Sequence, residues 1–156
     1  MIPVEVVGIR LEVSNQPVLI LRDTENSRYL PLWIGTSEAT AISIALDGVS
    51  TPRPLTHDLL NHTIAHLGAK LVSVTVSELV DGIFYATLNF AAHDSISARP
   101  SDAIALAVRS GVPVLVNAEV MDIAGLDITS QDEEIDDQEE LERFRAFLDE
   151  INPEDF

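Results

Sequence analysis

The sequence predicts an α+β fold: a single domain with a mixed, mainly antiparallel β-sheet, about three packed helices and an acidic C-terminal helical tail. Alternating apolar and polar residues, typical of half-buried strands, recur in several segments. Between them lie segments with helical periodicity, each beginning with a hydroxyl residue and an acid in the first turn. The length of 156 residues fits one domain.

The first part of the chain predicts a meander of three strands. Residues 4–13 alternate between apolar and polar side chains, and a polar break ending at Pro17 follows them. Residues 18–21 form a short apolar run, which predicts a strand covered on both faces. After a turn-forming segment, residues 28–34 are rich in aromatic and branched side chains and predict the third strand.

Three helices are predicted from capping residues and from glycines that end them. The first begins within residues 35–38, with a hydroxyl residue as its cap, runs to about Leu46 and is ended by Gly48. Thr56 is the predicted cap of the second, which ends near Gly68, and Ser101 is the predicted cap of the third, which ends at Gly111. The second helix carries an apolar stripe with i, i+4, i+7 spacing, formed by Leu60, Ile64 and Leu67.

The remaining strands lie after the second helix. Residues 71–79 alternate again, and 83–90 form a returning strand. Asp81 and Gly82 between them are a strong signal for a tight hairpin turn. Two shorter strands are predicted at 95–98 and 112–116.

The sequence divides into a domain, residues 1–126, and an acidic tail, residues 127–156, and the acidic residues are concentrated towards the C-terminus. The net charge is −17, but residues 1–117 hold 11 acids and 7 bases, whereas residues 118–156 hold 15 acids and 2 bases. A tail helix is predicted at 138–150 because apolar residues recur there at helical spacing, namely Leu141, Phe144 and Leu148.

Composition excludes several classes of protein. The chain has no cysteine, which removes disulfides, thiolate zinc sites and thiol nucleophiles. No apolar run approaches the ~20 residues of a membrane-spanning helix, and the N-terminus lacks the basic flank of a signal peptide. We therefore expect a cytoplasmic protein that does not enter a membrane. Lys70 is the single lysine against eight arginines, so anion contacts would depend on arginine.

The start of the second helix gathers Arg53, His57 and Asp58. Free N–H groups at a helix start bind anions, and a histidine exchanges protons near neutral pH. One interpretation is a phosphate or proton-transfer site at this helix start. The structural alternative is an ordinary capped helix in which Asp58 complements the dipole and Arg53 pairs with a neighbouring acid.

The starts of the other two helices carry similar groups. Arg99 and Asp102 flank the predicted Ser101 cap, where Arg99 would hold either a phosphate or a structural carboxylate. Glu38 follows the only tryptophan, Trp33, and is either a metal ligand or base, or an acid that stabilises its own helix.

Two histidines share a face of the second helix with Asp58. His62 and His66 are four residues apart, which is the spacing of a metal-binding pair. However, Thr63 follows His62, so the glutamate of the H-E-x-x-H pattern is missing. A solvated polar face opposite the apolar stripe is the simpler alternative.

Four sequence blocks follow one another along the chain: Leu30–Gly35, Glu38-Ala39, Arg53–Leu59 and Ala98–Arg109. In this order they resemble the bifunctional nuclease family, whose members are described as having DNase and RNase activity. The resemblance covers about residues 1–126 and implies an α+β fold with a mixed sheet, a homo-oligomer with a dimer as the expected form, and a nucleic-acid partner.

The resemblance implies a nuclease that hydrolyses DNA and RNA with little sequence preference, with a divalent metal such as Mg²⁺ as the expected cofactor. The alternative is a non-catalytic, homo-oligomeric anion-binding or regulatory module, in which the acidic tail could also mask an arginine-lined groove. An enzyme needs the histidine, an arginine and two acids in one cleft, whereas the module needs only the arginines. The catalytic candidates are His57, Asp58, Glu38 and Asp102, and the phosphate-binding candidates are Arg53 and Arg99.

Overall fold

An eight-stranded sheet forms the centre of residues 1–127, the part of the chain that the computed structural model describes. Neighbouring strands are antiparallel except for the parallel pair β4 and β7, and the order across the sheet is β6-β5-β4-β7-β1-β2-β3-β8. The strands are β1 (Ile2–Leu11), β2 (Pro17–Asp23), β3 (Arg28–Trp33), β4 (Lys70–Val80), β5 (Ile83–Ala91), β6 (His93–Ala98), β7 (Val114–Val116) and β8 (Leu126–Asp127).

Within residues 1–127, four helices accompany this sheet: α1 (Thr36–Leu46), α2 (Thr56–His66), α3 (Pro100–Ser110) and α4 (Ala118–Ala124). Helix α3 packs against α1, α2, β4 and β5, and it is covered on nearly all sides. Five consecutive residues, 103–107, are buried, which a helix with only one apolar face does not show. Three of these residues are alanines, whose small side chains let the neighbouring elements approach closely. Helix α3 is therefore the element on which α1 and α2 are positioned.

The predicted fold class is confirmed, with one helix more than expected. Helix α4 begins at the N-cap Asn117, whose side chain accepts a hydrogen bond from the amide of Glu119. Within α4, the side chains of Val120 and Met121 are buried, and the helix packs against β3 and β4. The chain then pairs β8 with β3 at the edge of the sheet.

The predicted helix caps were displaced by one or two residues. The N-caps are Gly35, Leu55 and Arg99, and Thr56 and Ser101 lie inside the helices. None of these N-cap side chains accepts a hydrogen bond from an amide of its helix. In α2, the backbone amide of Leu55 instead donates a hydrogen bond to the Asp58 side chain, at 2.9 Å. The first-turn amides of α1 and α3 therefore lack a side-chain cap.

The predicted hairpin between β4 and β5 is confirmed. Asp81 and Gly82 have φ values of 51° and 79°, so both central residues are left-handed, as a type I′ turn requires. Glycine adopts this conformation without steric cost, and aspartate is among the few other residues that tolerate it.

The apolar stripe of α2 does not enter the core. Leu67 is 77% exposed and Leu60 is 42% exposed. Ile64 is half-buried, and together with Leu60 it lines a pocket described below. The stripe therefore faces a cavity and the surface instead of the sheet.

The acidic tail helix predicted at 138–150 lies outside the described residues. Within residues 1–127, no helix has both the length and the apolar character needed to cross a bilayer.

Candidate functional site

The N-terminal ends of α1, α2 and α3 meet at one pocket with a volume of about 670 Å³. Its lining includes Glu38 from α1, His57 from α2, and Arg99 and Asp102 from the start of α3. A helix start presents free N–H groups and the positive end of the helix dipole. Because the N-caps of α1 and α3 add no side-chain hydrogen bond, this convergence favours an anion at the polar end of the pocket.

Arg99 joins two of the helices by ion pairs with two acids. Its Nη2 donates to Oε1 of Glu38 at 2.8 Å, and its Nε donates to Oδ2 of Asp102 at 2.8 Å. These hydrogen bonds, first to Asp102 and then to Glu38, raise the pKa of the Arg99 guanidinium above its ordinary value. The Arg99 side chain is nevertheless 66% exposed, whereas Glu38 is 17% exposed. Arg99 therefore keeps an open side from which it can contact a ligand.

His57 is the most enclosed of the polar residues in the pocket. Its Nε2 lies 2.9 Å from Oδ1 of Asp102, and its side chain is 11% exposed. A carboxylate acceptor favours the tautomer that carries the proton on Nε2, which leaves Nδ1 as the basic nitrogen of the neutral ring. Asp102 thus contacts His57 through one oxygen and Arg99 through the other, and it fixes both groups relative to each other.

The other end of the pocket is apolar. Residues from α2, β5, β6 and α3 form a continuous wall that begins beside the charged groups. Two members of this wall are substantially exposed, Ile96 at 56% and Leu60 at 42%. The wall consists of Leu60, Ile64, Leu88, Phe90, Ile96 and Leu106.

Asp58 does not line this pocket, although it follows His57 directly. Its Oδ1 accepts from Nε of Arg109 at 2.8 Å, and its Oδ2 accepts from the Leu55 amide at 2.9 Å. Arg109 is 7% exposed on its side chain, and its Nη2 donates to the carbonyl of Ala41 at 2.8 Å. Arg109 therefore ties α1, α2 and α3 together, and Asp58 belongs to that structural contact.

The remaining candidates lie outside the pocket. Arg53 is exposed in the loop before α2, where its backbone carbonyl accepts a hydrogen bond from the Thr51 hydroxyl. His62 and His66 are both exposed on α2. The structure thus brings together Glu38, His57, Arg99 and Asp102, and it leaves Arg53 and Asp58 apart from them.

The pocket offers few ligands to a metal ion. Among residues 1–127, no group of three or more His, Asp or Glu side chains is arranged to hold one. The available oxygen donors are the carboxylates of Glu38 and Asp102, both paired with Arg99. Mg²⁺ retains several waters and commonly binds proteins through one or two carboxylates, so this donor set fits Mg²⁺ better than a metal that needs a full protein cage.

Comparison with known proteins identifies the domain. Residues 19–129 match the model of the bifunctional nuclease domain. An uncharacterized protein of Mycobacterium tuberculosis strain H37Rv is 50% identical over 158 aligned residues, which cover 98% of this chain and 96% of that protein. Strain CDC 1551 has a protein with the same values.

More distant relatives have nuclease names. Bifunctional nuclease 1 of Oryza sativa subsp. indica is 23% identical over 129 residues, which cover 79% of this chain and 39% of that protein. Bifunctional nuclease of Oryza minuta shows the same identity and coverage. The domain match spans most of the described residues and includes the four ionisable residues that line the pocket, Glu38, His57, Arg99 and Asp102. The chain belongs to the bifunctional nuclease domain family.

Proposed function

We propose that the protein is a nuclease that hydrolyses phosphodiester bonds in DNA and RNA, with its active site in the pocket where the three helices begin. The observation that supports this most directly is the convergence of one histidine, one arginine and two acids in a single cleft. Those groups are His57, Arg99, Glu38 and Asp102. A binding module would not need the enclosed histidine or the carboxylate that orients it.

In hydrolysis, a water oxygen forms the new bond to phosphorus while the bond from phosphorus to one sugar oxygen breaks. His57 would take the proton of the attacking water at Nδ1 and return a proton to the leaving oxygen. Asp102 keeps the imidazole in the required tautomer and stabilises the imidazolium, because its Oδ1 accepts from Nε2. Arg99 would contact the non-bridging oxygens and oppose their developing negative charge.

The charge of the pocket favours a cation as a second component. Two carboxylates and one guanidinium give the cluster a net negative charge while His57 is neutral. A phosphodiester adds a further negative charge and would compete with Glu38 and Asp102 for Arg99. A divalent cation such as Mg²⁺, held by Glu38 and Asp102, would supply positive charge for the phosphoryl oxygens.

The test is a cleavage assay on single-stranded DNA and RNA with Mg²⁺, Mn²⁺ or EDTA. General acid–base groups contribute about 10²- to 10⁴-fold to rate, so His57→Ala and Asp102→Asn are expected to lose about 100-fold or more. His62→Ala is the matched control, because His62 lies on the same helix but is exposed outside the pocket. Circular dichroism checks that each variant is folded. Inactive wild type, or equal loss in the His57 and His62 variants, would refute the proposal.

The alternative, a non-catalytic anion-binding or regulatory module, rests on the same arginines. It expects Arg53 and Arg99 to converge, but of these two arginines Arg99 lines the pocket and Arg53 does not. It gains support from the composition, since residues 1–117 have only 7 bases against 11 acids. Binding of nucleic acid in EDTA without cleavage under any metal condition would favour this module.

A homo-oligomer, with a dimer as the expected form, and a cytoplasmic location remain predictions. Sedimentation equilibrium of the full chain measures the oligomer directly, and a monomer at all concentrations would contradict the expectation.

A further inference from the structure

The apolar end of the pocket is not needed for acid–base chemistry. It directly adjoins the charged cluster, because Leu60 lies one turn beyond His57 on α2 and Ile96 lies just before Arg99 on β6. Both apolar side chains remain substantially exposed, at 42% and 56%. When a ligand covers the exposed apolar atoms of a concave site, their removal from water favours binding.

We propose that this apolar wall is a subsite for one unpaired nucleobase, so that the protein acts on single-stranded nucleic acid and unpaired regions. The proposal rests on the nuclease function proposed above and names the substrate class of the same site. A nucleotide has an anionic end and a flat, largely apolar end. The pocket has the same division, with Arg99 and three helix starts at one end and the apolar wall at the other.

The size of the pocket supports an occupant of this kind. Its volume of about 670 Å³ falls in the range of small-molecule and cofactor sites. Phe90 is half-buried at the wall and presents an aromatic surface, and Leu60 and Ile96 flank the opening. Every base has a π-face that can stack on such a surface, so these contacts do not distinguish one base from another.

A duplex does not present a base in this way. A paired base is stacked on both faces, and it enters a pocket only after extrusion, which costs a few kcal/mol of unpairing and unstacking energy. An unpaired base avoids this cost. The phosphate reaches the helix starts in either case, so the preference for single strands must come from the apolar wall.

The experiment measures binding in EDTA, where a metal-dependent nuclease does not cleave, by fluorescence anisotropy with the full chain at low salt. Three probes of equal length are compared: a single-stranded oligonucleotide, its duplex, and a strand with abasic residues throughout. The single strand is expected to bind about tenfold more tightly than the abasic strand, which corresponds to one stacked base. The duplex is expected to bind more weakly than the single strand.

Adjacent leucines on α2 provide a matched pair of variants. Leu60 lines the pocket and Leu59 does not, although they are similarly exposed at 42% and 58%. The double variant Leu60→Ala with Ile96→Ala is expected to bind the single strand only as tightly as the abasic one. Leu59→Ala with Ile123→Ala removes two exposed apolar side chains outside the pocket and is expected to leave the affinity for the single strand unchanged.

The two proposals fail in different ways. Equal affinity for the single-stranded and abasic probes, or equal losses in both double variants, overturns the base subsite even if the protein cleaves nucleic acid. Base-dependent binding without cleavage under any metal condition overturns the nuclease function and keeps the subsite. Thermal melts of both double variants test whether the domain is folded. Because the substituted side chains are exposed, we expect both variants to fold.

Discussion

Arg109 connects the three helices that carry the polar groups of the pocket, and removing its guanidinium should destabilise the domain. Its Nε donates to Asp58 on α2 at 2.8 Å, and its Nη2 donates to the carbonyl of Ala41 on α1 at 2.8 Å. Arg109 itself is on α3, with its side chain only 7% exposed. Arg109→Met keeps an apolar stem of similar length and removes these contacts, together with the hydrogen bond from Nη1 to the Ala105 carbonyl at 3.3 Å.

The expected cost follows from the hydrogen bonds that are lost. A hydrogen bond to a charged group contributes roughly 1.5–3 kcal/mol, and the half-buried carbonyl of Ala41 in α1 loses its charged donor. Asp58 is 30% exposed and keeps the amide of Leu55, so water replaces part of what it loses. We therefore expect Arg109→Met to lower the free energy of unfolding by about 2–3 kcal/mol, below the upper range for a fully buried pair.

Urea unfolding at neutral pH measures this loss, and Arg22→Met is the control. Arg22 pairs with Glu5 at the surface, where the two side chains are 47% and 48% exposed. Such exposed pairs contribute about 0–1 kcal/mol. A double-mutant cycle with Asp58→Asn should give a coupling of about 1 kcal/mol with Arg109. Equal small losses in Arg109→Met and Arg22→Met would refute the idea that Arg109 holds the helices together.

The same contact has a pH dependence with a definite sign. The Leu55 amide, and after it Arg109, hold the pKa of Asp58 below its ordinary value against the opposing effect of burial. Because the folded pKa is below the unfolded one, this stabilisation is complete above the unfolded pKa of about 3.9 and is lost as pH falls through the folded pKa. The stability difference between wild type and Asp58→Asn should therefore shrink in acid.

Two further predictions concern single positions. Gly35→Ala has an unstrained backbone, but its Cβ would overlap the Glu38 carboxylate, so the variant should remain folded while Glu38 leaves Arg99 and cleavage falls. Melting temperature and cleavage rate separate the two effects, and unchanged cleavage would contradict this role of Glu38. Burial acts to raise the pKa of Asp23, but turn amides and neighbouring side chains lower it overall, so Asp23→Ala should cost about 2 kcal/mol at neutral pH and less below about pH 4. Urea unfolding at both pH values checks this, and a loss that is equal at both would contradict it.

Most of the fold was predictable because the core is periodic. The alternating segments form strands in the structure, because one face of each strand must be apolar. The turn predicted at Asp81 and Gly82 is also present, since both residues have positive φ values. Helix α4 was missed because it has only seven residues and lies where the acidic character begins. The signal that could have found it is the Asn117 cap, followed by buried Val120 and Met121.

The candidate site was predicted only in part, for a geometric reason. Consecutive residues on a helix point about 100° apart at 3.6 residues per turn. His57 therefore contacts Asp102 in the pocket while Asp58, the next residue, contacts Arg109 on another side. Sequence adjacency made them look like one site. The link between Arg99 and Glu38 joins residues 61 positions apart, which no local pattern encodes.

The distribution of charge leads to a prediction for the tail. Residues 128–156 hold 12 acids and 2 bases, whereas Arg99 is the one arginine that lines the pocket among residues 1–127. If the tail limits the access of nucleic acid, replacing the seven acids at 132–140 by amides in the full chain should raise affinity for single-stranded DNA about tenfold at low salt. The Debye length falls to about 3 Å at 1 M ionic strength, so the difference should disappear there. Anisotropy titrations at both salt concentrations measure it. Equal affinities at low salt would show that the acidic segment does not shield the site, and the preference for a ligand would then be set within the pocket, by the competition of phosphate with Glu38 and Asp102 for Arg99.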